Sequence, residues 1–93
     1  DINGLKGVTS LKNLQLYNNS IGDLSAIGTL VNLEELNLQN NSITNSITTI
    51  ANGFVDNVNV LNSLKNKYGK LKKLYISGNS FNDVSKLDWA ITK

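Results

Sequence analysis

A template of five positions, L-x-x-L-x-L-x-x-N-x-I, occurs three times in this 93-residue chain and constrains its fold more than any other feature. Only Leu, Ile and Phe exchange at the apolar positions, and Asn is present in every copy. The first two copies are 22 residues apart, within the period of about 20 to 29 residues that is typical of solenoid repeats. The sequence therefore predicts that equivalent units stack side by side, each packing on its neighbours. The matching positions are Leu11, Leu14, Leu16, Asn19 and Ile21; Leu33, Leu36, Leu38, Asn41 and Ile43; and Leu71, Leu74, Ile76, Asn79 and Phe81.

Each template copy predicts one short strand followed by a tight helical return. Residues 14–17 read L-Q-L-Y, an alternation with the period of two that places the leucines on one face of a strand. From residue 24 to residue 30 the apolar spacing becomes three, which fits a short helical or 3₁₀ segment that Asp23 or Ser25 could cap. The predicted fold class is an α/β solenoid, with a short parallel sheet on one face and helices or 3₁₀ turns on the convex face.

The three template asparagines, Asn19, Asn41 and Asn79, stand where each strand ends and the chain must turn. A side-chain amide both donates and accepts hydrogen bonds, so it can satisfy backbone groups of its own and the adjacent repeat, which Leu could not do. We interpret these residues as a structural asparagine ladder. A ligand contact through the amides is the alternative.

The repeat register divides the chain, which we treat as one solenoid domain. Carried backwards by 22 positions, it places the apolar residues at 2, 5 and 8 under those at 24, 27 and 30. The chain therefore opens in the middle of a repeat, and we expect it to be a piece of a longer protein. The predicted divisions are a half repeat (1–10), a complete repeat (11–32), an enlarged repeat (33–70) and a terminal repeat (71–93).

The enlarged repeat contains an expansion on its convex side. The third template copy follows the second after 38 residues, 16 more than the regular period, and the extra residues must follow the intact strand template. Apolar residues across 45–70 recur at spacings of three and four, which predicts one helix or two short ones. Gly53 and the pair Asp56-Asn57 mark a break and restart, and Gly69 is placed to end the last helix. The apolar positions are Ile47, Ile50, Phe54, Val58, Leu61, Leu64 or Lys65, and Tyr68.

Two interpretations of this expansion stay open. It is either a docking surface or a longer helix that thickens a thin core, and helical spacing favours core positions for Phe54 and Tyr68. Trp89, the one tryptophan, presents a similar choice. It either covers the last repeat or anchors an interface, where tryptophan is enriched.

With the leucines inward, the intervening side chains form three columns on the exposed face of the sheet. Adjacent strands lie about 4.8 Å apart, so each column is a ladder of near neighbours. Tyrosines, amides and an opposed Glu35 and Lys73 pair could stack and hydrogen-bond, as side chains do at protein interfaces. This face is the candidate binding surface; the alternative is that these are ordinary solvated strand residues. The columns are Asn13, Glu35 and Lys73; Gln15, Asn37 and Tyr75; and Tyr17, Gln39 and Ser77.

The composition argues against catalysis, cofactors and metal binding. Cys and His are absent, and the seven carboxylates show no paired spacing that suggests acid/base work. A net charge of +2 does not indicate a nucleic-acid partner, and we interpret the lysines between 65 and 73 as a solvated helix end and loop. No run of about 18 apolar residues could span a bilayer, so membrane insertion is not expected.

Residues 11–32, LKNLQLYNNSIGDLSAIGTLVN, resemble the leucine-rich repeats of the internalin type. The segment I-x-D-L-S-x-I-x-x-L carries the resemblance, because classes of leucine-rich repeat differ mainly in this convex half. Residues 81–85, F-N-D-V-S, repeat it, whereas residues 45–70 do not match. The resemblance implies a solenoid of a bacterial surface or secreted protein, without catalytic residues, that binds proteins on its concave sheet face. Tyr17, Gln39 and Tyr75 would then contact the partner.

Two further possibilities stay open beside this prediction of a protein-binding module. One is an intracellular regulatory or structural scaffold, similar to the phosphatase-regulating leucine-rich repeat proteins that share the period of 22. The other is self-association. The edge strands of a three-stranded sheet expose unpaired backbone groups, so we expect copies to associate through open solenoid ends at high concentration.

Overall fold

A computed structural model describes residues 2–50 and 53–90 of the chain. Its strands and helix are, in chain order, β1 (Asn13–Gln15), β2 (Glu35–Asn37), β3 (Ser46–Ile50), β4 (Gly53–Asp56), α1 (Asn57–Asn66) and β5 (Lys73–Tyr75). The template strands form one parallel sheet in the order β1-β2-β5, and β3 pairs with β4 in a separate antiparallel ribbon. Short 3₁₀ turns occupy Asn3–Leu5, Ile27–Thr29 and Ser85–Leu87. The predicted solenoid with its short parallel sheet is confirmed.

The inward side chains of the strands build the core. Leu36, Leu38, Leu74 and Ile76 are buried, as the alternation predicts, and the equivalent leucines of β1 are half-buried at the sheet edge. Burial of each such side chain stabilises the fold by about 1.5–3 kcal/mol. The residues that pack on them from the 3₁₀ turns, the adjoining loop segments and α1 are Leu24, Ile27, Leu30, Val58, Leu61, Leu64 and Leu87.

The bend before each later 3₁₀ turn is closed by an aspartate. The Ser25 backbone N–H donates to Asp23 Oδ1 at 2.8 Å, and the Ser85 N–H donates to Asp83 Oδ1 at the same distance. The turn at Ile27–Thr29 has no side-chain cap, so the prediction that Asp23 or Ser25 caps it is wrong. Because a carboxylate is a better acceptor than a protonated carboxyl, the hydrogen bond from Ser85 lowers the pKa of Asp83.

The expansion is only partly helical, which corrects the prediction of helix across 45–70. Residues 46–50 and 53–56 are antiparallel strands, and helix begins at Asn57. The segment 47–50 reads I-T-T-I, and β-branched residues favour strand because their χ1 freedom is restricted in a helix. The spacing of three between Ile47 and Ile50 is therefore compatible with both a helix and a ribbon, and it did not discriminate between them. The predicted core position of the Phe54 side chain lies outside what the structure describes.

Helix α1 begins and ends close to the residues that the sequence predicts for its two ends, the pair Asp56-Asn57 and Gly69. Asp56 is its N-cap, accepting hydrogen bonds from the N–H groups of Val58 at 2.8 Å and Asn59 at 3.4 Å. Gly69 adopts a left-handed φ of 69° just after the helix. Tyr68 lies beyond the last helical residue and is 36% exposed, so its predicted core position is wrong. The helix packs on two of the 3₁₀ turns and covers the core from the convex side.

Candidate protein-binding face

The strand register produces the side-chain columns that the repeat count predicts. Asn13 pairs with Glu35, which pairs with Lys73 on the next strand, and the Gln15 column continues through Asn37 to Tyr75 in the same way. Tyr17, Gln39 and Ser77 form the third column just past the strands. Backbone hydrogen bonds between adjacent repeats, from the Asn18 N–H to the Gln39 carbonyl oxygen at 2.9 Å and from the Asn40 N–H to the Ser77 carbonyl oxygen at 3.0 Å, hold that column in register. We call these nine side chains the sheet face; all are exposed or half-buried.

Glu35 is the centre of a hydrogen-bond network at the start of the strands. Its Oε2 accepts from Gln15 Nε2 at 3.1 Å and from Asn13 Nδ2 at 3.5 Å, while Oε1 lies 4.0 Å from Lys73 Nζ. The Lys73 side chain is 59% exposed, so this ion pair adds little to stability. Its effect is to hold four neighbouring side chains in one arrangement.

The second and third columns of the sheet face, which begin at Gln15 and Tyr17, are uncharged. Gln39 Nε2 donates to Ser77 Oγ at 3.0 Å, and the Gln39 backbone N–H donates to Asn37 Oδ1 at 3.0 Å. Tyr17 is 52% exposed and Tyr75 is half-buried. The two rings therefore flank a row of amide and hydroxyl groups that are already oriented by contacts within the sheet.

A left-handed residue ends each strand segment. Asn18 and Asn40 have φ of 59° and 56°, and Gly78 has φ of 73° at the same repeat position. Asparagine and glycine are the residues that adopt this region most readily. Asn40 Nδ2 donates to Asn18 Oδ1 at 2.9 Å, and a Cβ on Gly78 would collide with the Asn40 side chain. This close stacking explains the glycine in the third copy.

Two members of the asparagine ladder, Asn41 and Asn79, join adjacent repeats, which confirms the structural interpretation for these two. Asn41 Nδ2 donates to the carbonyl oxygens of Leu38 and Leu16, each at 2.9 Å, and Asn41 Oδ1 accepts from the Ile21 N–H at 3.1 Å. Asn79 makes the equivalent contacts one repeat further on, at 2.9, 2.8 and 3.1 Å. Asn41 and Asn79 thus each satisfy backbone groups of two repeats, whereas the described contacts of Asn19 stay within its own repeat.

A buried asparagine that the sequence did not single out as a core residue attaches the expansion to the solenoid. Asn57 is fully buried at the first position of α1. Its Oδ1 accepts from the Leu24 N–H at 3.1 Å, and its Nδ2 donates to the carbonyl oxygens of Gly22 at 2.9 Å and Thr44 at 3.2 Å. The partners are distant in sequence, so the only local signal was an Asp-Asn pair at a helix start.

Asn45 makes the corresponding connection to the last repeat. Its Nδ2 donates to the Asp83 carbonyl oxygen at 2.9 Å, and its Oδ1 accepts from the Asn82 N–H at 2.6 Å. Trp89 is half-buried and donates from Nε1 to Asn62 Oδ1 on α1 at 2.7 Å. These contacts favour the interpretation in which Trp89 covers the last repeat.

Comparison with known proteins agrees with this geometry. The family model described as leucine-rich repeats in two copies matches residues 9–52, and the model for a single leucine-rich repeat matches residues 70–90. The chain belongs to the leucine-rich repeat proteins. An internalin from Listeria monocytogenes has a similar structure, with a TM-score of 0.75 and 29% identity over 99% of this chain. The repeats are of the internalin type, as the convex segment predicted.

The chain is also similar in sequence to a protein that is not named as an internalin. The tubulin-specific chaperone E of Dictyostelium discoideum is 44% identical over 84 residues, which cover 85% of this chain. The chain spans 15% of that chaperone and 24% of the internalin chain. Leucine-rich repeats are protein-interaction modules, and internalin-like folds are typically binding modules rather than enzymes.

Two other kinds of site are absent from the described ranges. Acidic side chains in residues 2–50 and 53–90 do not gather in groups of three that could hold a metal ion. None of the helical segments in those ranges has the length and apolar character of a bilayer-spanning helix.

Proposed function

We propose that this leucine-rich repeat chain binds a partner protein through its sheet face. The observation that carries the proposal is the contrast between the two sides of one short sheet. The inward side is a leucine core, whereas the outward side presents nine polar and aromatic side chains on strands that the ladder holds in register. A rigid backbone of this kind pre-organises a surface and lowers the entropy lost on binding.

The chemistry of the sheet face supports a protein partner. Tyr17 and Tyr75 offer ring faces and hydroxyl groups at a low cost in side-chain entropy, as tyrosines do at protein interfaces. Between them lie amides that both donate and accept hydrogen bonds. We include in the proposal that the chain acts as a binding module without catalysis, since the sequence contains neither His nor Cys.

Two compartments are proposed, each with its own support. The internalin-like repeat supports a bacterial surface or secreted protein. The second candidate is an intracellular scaffold with a role in tubulin handling, and the 44% identity to a tubulin-specific chaperone favours it. Fractionation of cells that express the full-length parent separates the two, because only the first candidate places the protein outside the cell.

The sheet-face proposal is tested by capturing partners with the full-length parent. A variant with Tyr17→Ala, Glu35→Ala and Tyr75→Ala should lose capture by at least about tenfold, because buried tyrosines are frequent interface hot spots. The matched control carries Lys67→Ala, Tyr68→Ala and Asp88→Ala, three exposed residues outside the sheet face. Unchanged capture by the first variant, with circular dichroism showing both variants folded, contradicts the proposal.

The second candidate has a defined probe, purified tubulin. Saturable binding of tubulin to the parent, lost in the sheet-face variant and retained in the control, supports it. Failure of tubulin to bind overturns this candidate and leaves the sheet-face proposal to the capture experiment.

We also propose that the 93-residue chain associates with itself through the ends of the solenoid. β1 and β5 are the edges of the described parallel sheet, and a cavity of about 440 Å³ beside β1 is lined partly by Leu16 and Ile21. Unpaired strand edges and exposed apolar side chains favour such contacts. Light scattering should show a mass that rises with concentration, and a monomeric mass at millimolar protein contradicts this proposal.

A further inference from the structure

The lysine cluster around the end of α1 is divided by the contacts its members make. Lys65 Nζ lies 4.8 Å from the centroid of the Trp89 ring, and Lys67 Nζ lies 5.4 Å from the centroid of the Tyr68 ring. Lys73 is paired with a carboxylate of the sheet face. Among the described residues, Lys72 has no ion-pair or ring partner, and its exposed side chain lies beside the start of β5. The lysines at 67, 70, 72 and 73 are exposed, as the solvated interpretation predicts, but they differ in their contacts.

Lys72 belongs to a row of charges that crosses the three strands. The Glu34 N–H donates to the Lys12 carbonyl oxygen at 2.8 Å, and the Lys72 N–H donates to the Glu34 carbonyl oxygen at 2.9 Å. These backbone bonds place the three residues at one repeat position, directly before the strands. We call Lys12, Glu34 and Lys72 the charged stripe. The three columns predicted from the strand alternation leave out these positions, although the same register aligns them.

The charged stripe borders a groove of about 230 Å³ whose other lining residues are Asn13, Glu35 and Lys73. All three stripe residues are exposed, and none makes an ion pair with another residue in the described ranges. The neighbouring column differs, because Glu35 already has two amide donors and a lysine. The charges of the stripe are therefore available to a partner, whereas those of the column are mostly used within the chain.

We propose that the charged stripe selects a protein segment that presents a carboxylate, a cation and a carboxylate in that order. Successive charges on the segment would be about 5 Å apart and the outer pair about 10 Å apart, since the strands are about 4.8 Å apart. Such a segment sets each of its charges against an opposite charge of the stripe. A segment with the opposite signs, a cation, a carboxylate and a cation, sets three pairs of like charges against each other, which disfavours binding. The inference rests on the proposed function of the sheet face and names the chemistry of its partner.

Two synthetic helical peptides test the order of charges. One carries Glu, Lys and Glu at positions i, i+4 and i+7 of an alanine-rich helix, about 6 and 10.5 Å along the axis, and the other carries Lys, Glu and Lys. Fluorescence anisotropy at low salt measures their binding to the 93-residue chain. The acid–base–acid peptide should bind about fivefold more tightly, the ratio expected from a few exposed ion pairs.

Two variants with equal net charge separate position from overall charge. The stripe variant carries Lys12→Glu, Glu34→Lys and Lys72→Glu, and the control carries Lys86→Glu in the last turn; each lowers the net charge from +2 to 0. The stripe variant should reverse the peptide preference, and the control should keep it. Both must show the wild-type circular dichroism spectrum.

Three results overturn the inference: equal binding of the two peptides by the wild-type chain, an unreversed preference in the stripe variant, or loss of preference in the Lys86 control. Capture of the natural partner by the full-length parent distinguishes failure of the charged-stripe inference from failure of the sheet-face proposal. If the stripe variant captures the partner normally while the Tyr17, Glu35 and Tyr75 variant does not, the sheet face binds without the charged stripe.

Discussion

The two junctions between neighbouring strands of the parallel sheet differ in length but not in strand geometry. The first junction joins β1 and β2 with 22 residues between equivalent positions, and the second joins β2 and β5 with 38. The ladder amides cross both junctions with hydrogen bonds of nearly equal length, 2.9 and 2.8 Å to the preceding repeat. The strand side is therefore insensitive to the 16 extra residues.

The convex side accommodates the difference in length. At the first junction a 3₁₀ turn returns the chain, whereas at the second an antiparallel ribbon and α1 do so. The ribbon and helix connect to the flanking repeats through Asn45 and Asn57, so the expansion is attached at defined points. An insertion on this side can change the outer surface of the solenoid without displacing the sheet face.

The largest expected effect comes from removing the buried attachment of the expansion. Asn57→Ala eliminates three hydrogen bonds and leaves the buried Leu24 N–H without a partner. Unsatisfied buried groups are costly, so the free energy of unfolding should fall by about 3 kcal/mol. Urea denaturation followed by circular dichroism measures this loss.

Asn59→Ala is the matched control, since Asn59 is exposed in the same helical turn. Its effect should stay within about 0.5 kcal/mol. A loss of equal size at both positions would mean that helix propensity, and not the buried hydrogen bonds of Asn57, determines the stability of the expansion.

The asparagine ladder tests whether the two junctions are equivalent. Asn41→Ala and Asn79→Ala should each cost about 2 kcal/mol, because each removes hydrogen bonds to two repeats. Asn19 bonds only to carbonyl oxygens of its own repeat among the described residues, so Asn19→Ala should cost less than about 1 kcal/mol. Urea denaturation of the three variants provides the ranking. A much smaller loss for Asn79→Ala than for Asn41→Ala would show that the expansion replaces the ladder at the second junction.

The strand side could be predicted from the sequence because its determinants are local. The alternation around Leu14, Leu36 and Leu74 specifies the inward face, and counting residues between copies specifies the register. The columns of the sheet face followed from that count alone.

The expansion could not be predicted in the same way. Apolar spacings of three around residues 47–50 are compatible with a helix, and they carried no information on the ribbon that forms. The role of Asn57 depends on Gly22 and Leu24, which precede it by more than 30 residues and are placed by the preceding repeat. Contacts between different repeats determine the role of Asn57, whereas the local signal for the ribbon was the β-branched run at 47–50.

A smaller effect is expected where α1 meets the last repeat. Asn62→Ala removes the acceptor of the Trp89 indole N–H, which is only half-buried, so the loss should be about 1 kcal/mol. Because the chain has one tryptophan, its fluorescence reports this contact directly. The emission maximum should shift to longer wavelength as the ring becomes more exposed. An unchanged spectrum would indicate that the helix does not hold Trp89 in solution.

The smallest expected effect is a dependence on pH at Asp83, in the bend after the second junction. The hydrogen bond from the Ser85 N–H, with a smaller contribution from Lys86, lowers the pKa of Asp83 below its usual value of 3.8. A carboxyl whose pKa is lower in the folded state contributes stability above its unfolded pKa and loses it as the pH falls through the folded pKa. Asp83→Asn should therefore lower the midpoint of thermal unfolding slightly at pH 6, and the difference from wild type should shrink as the pH falls below about 4. A difference that stays constant down to pH 2 would show that the charge of Asp83 does not stabilise this bend.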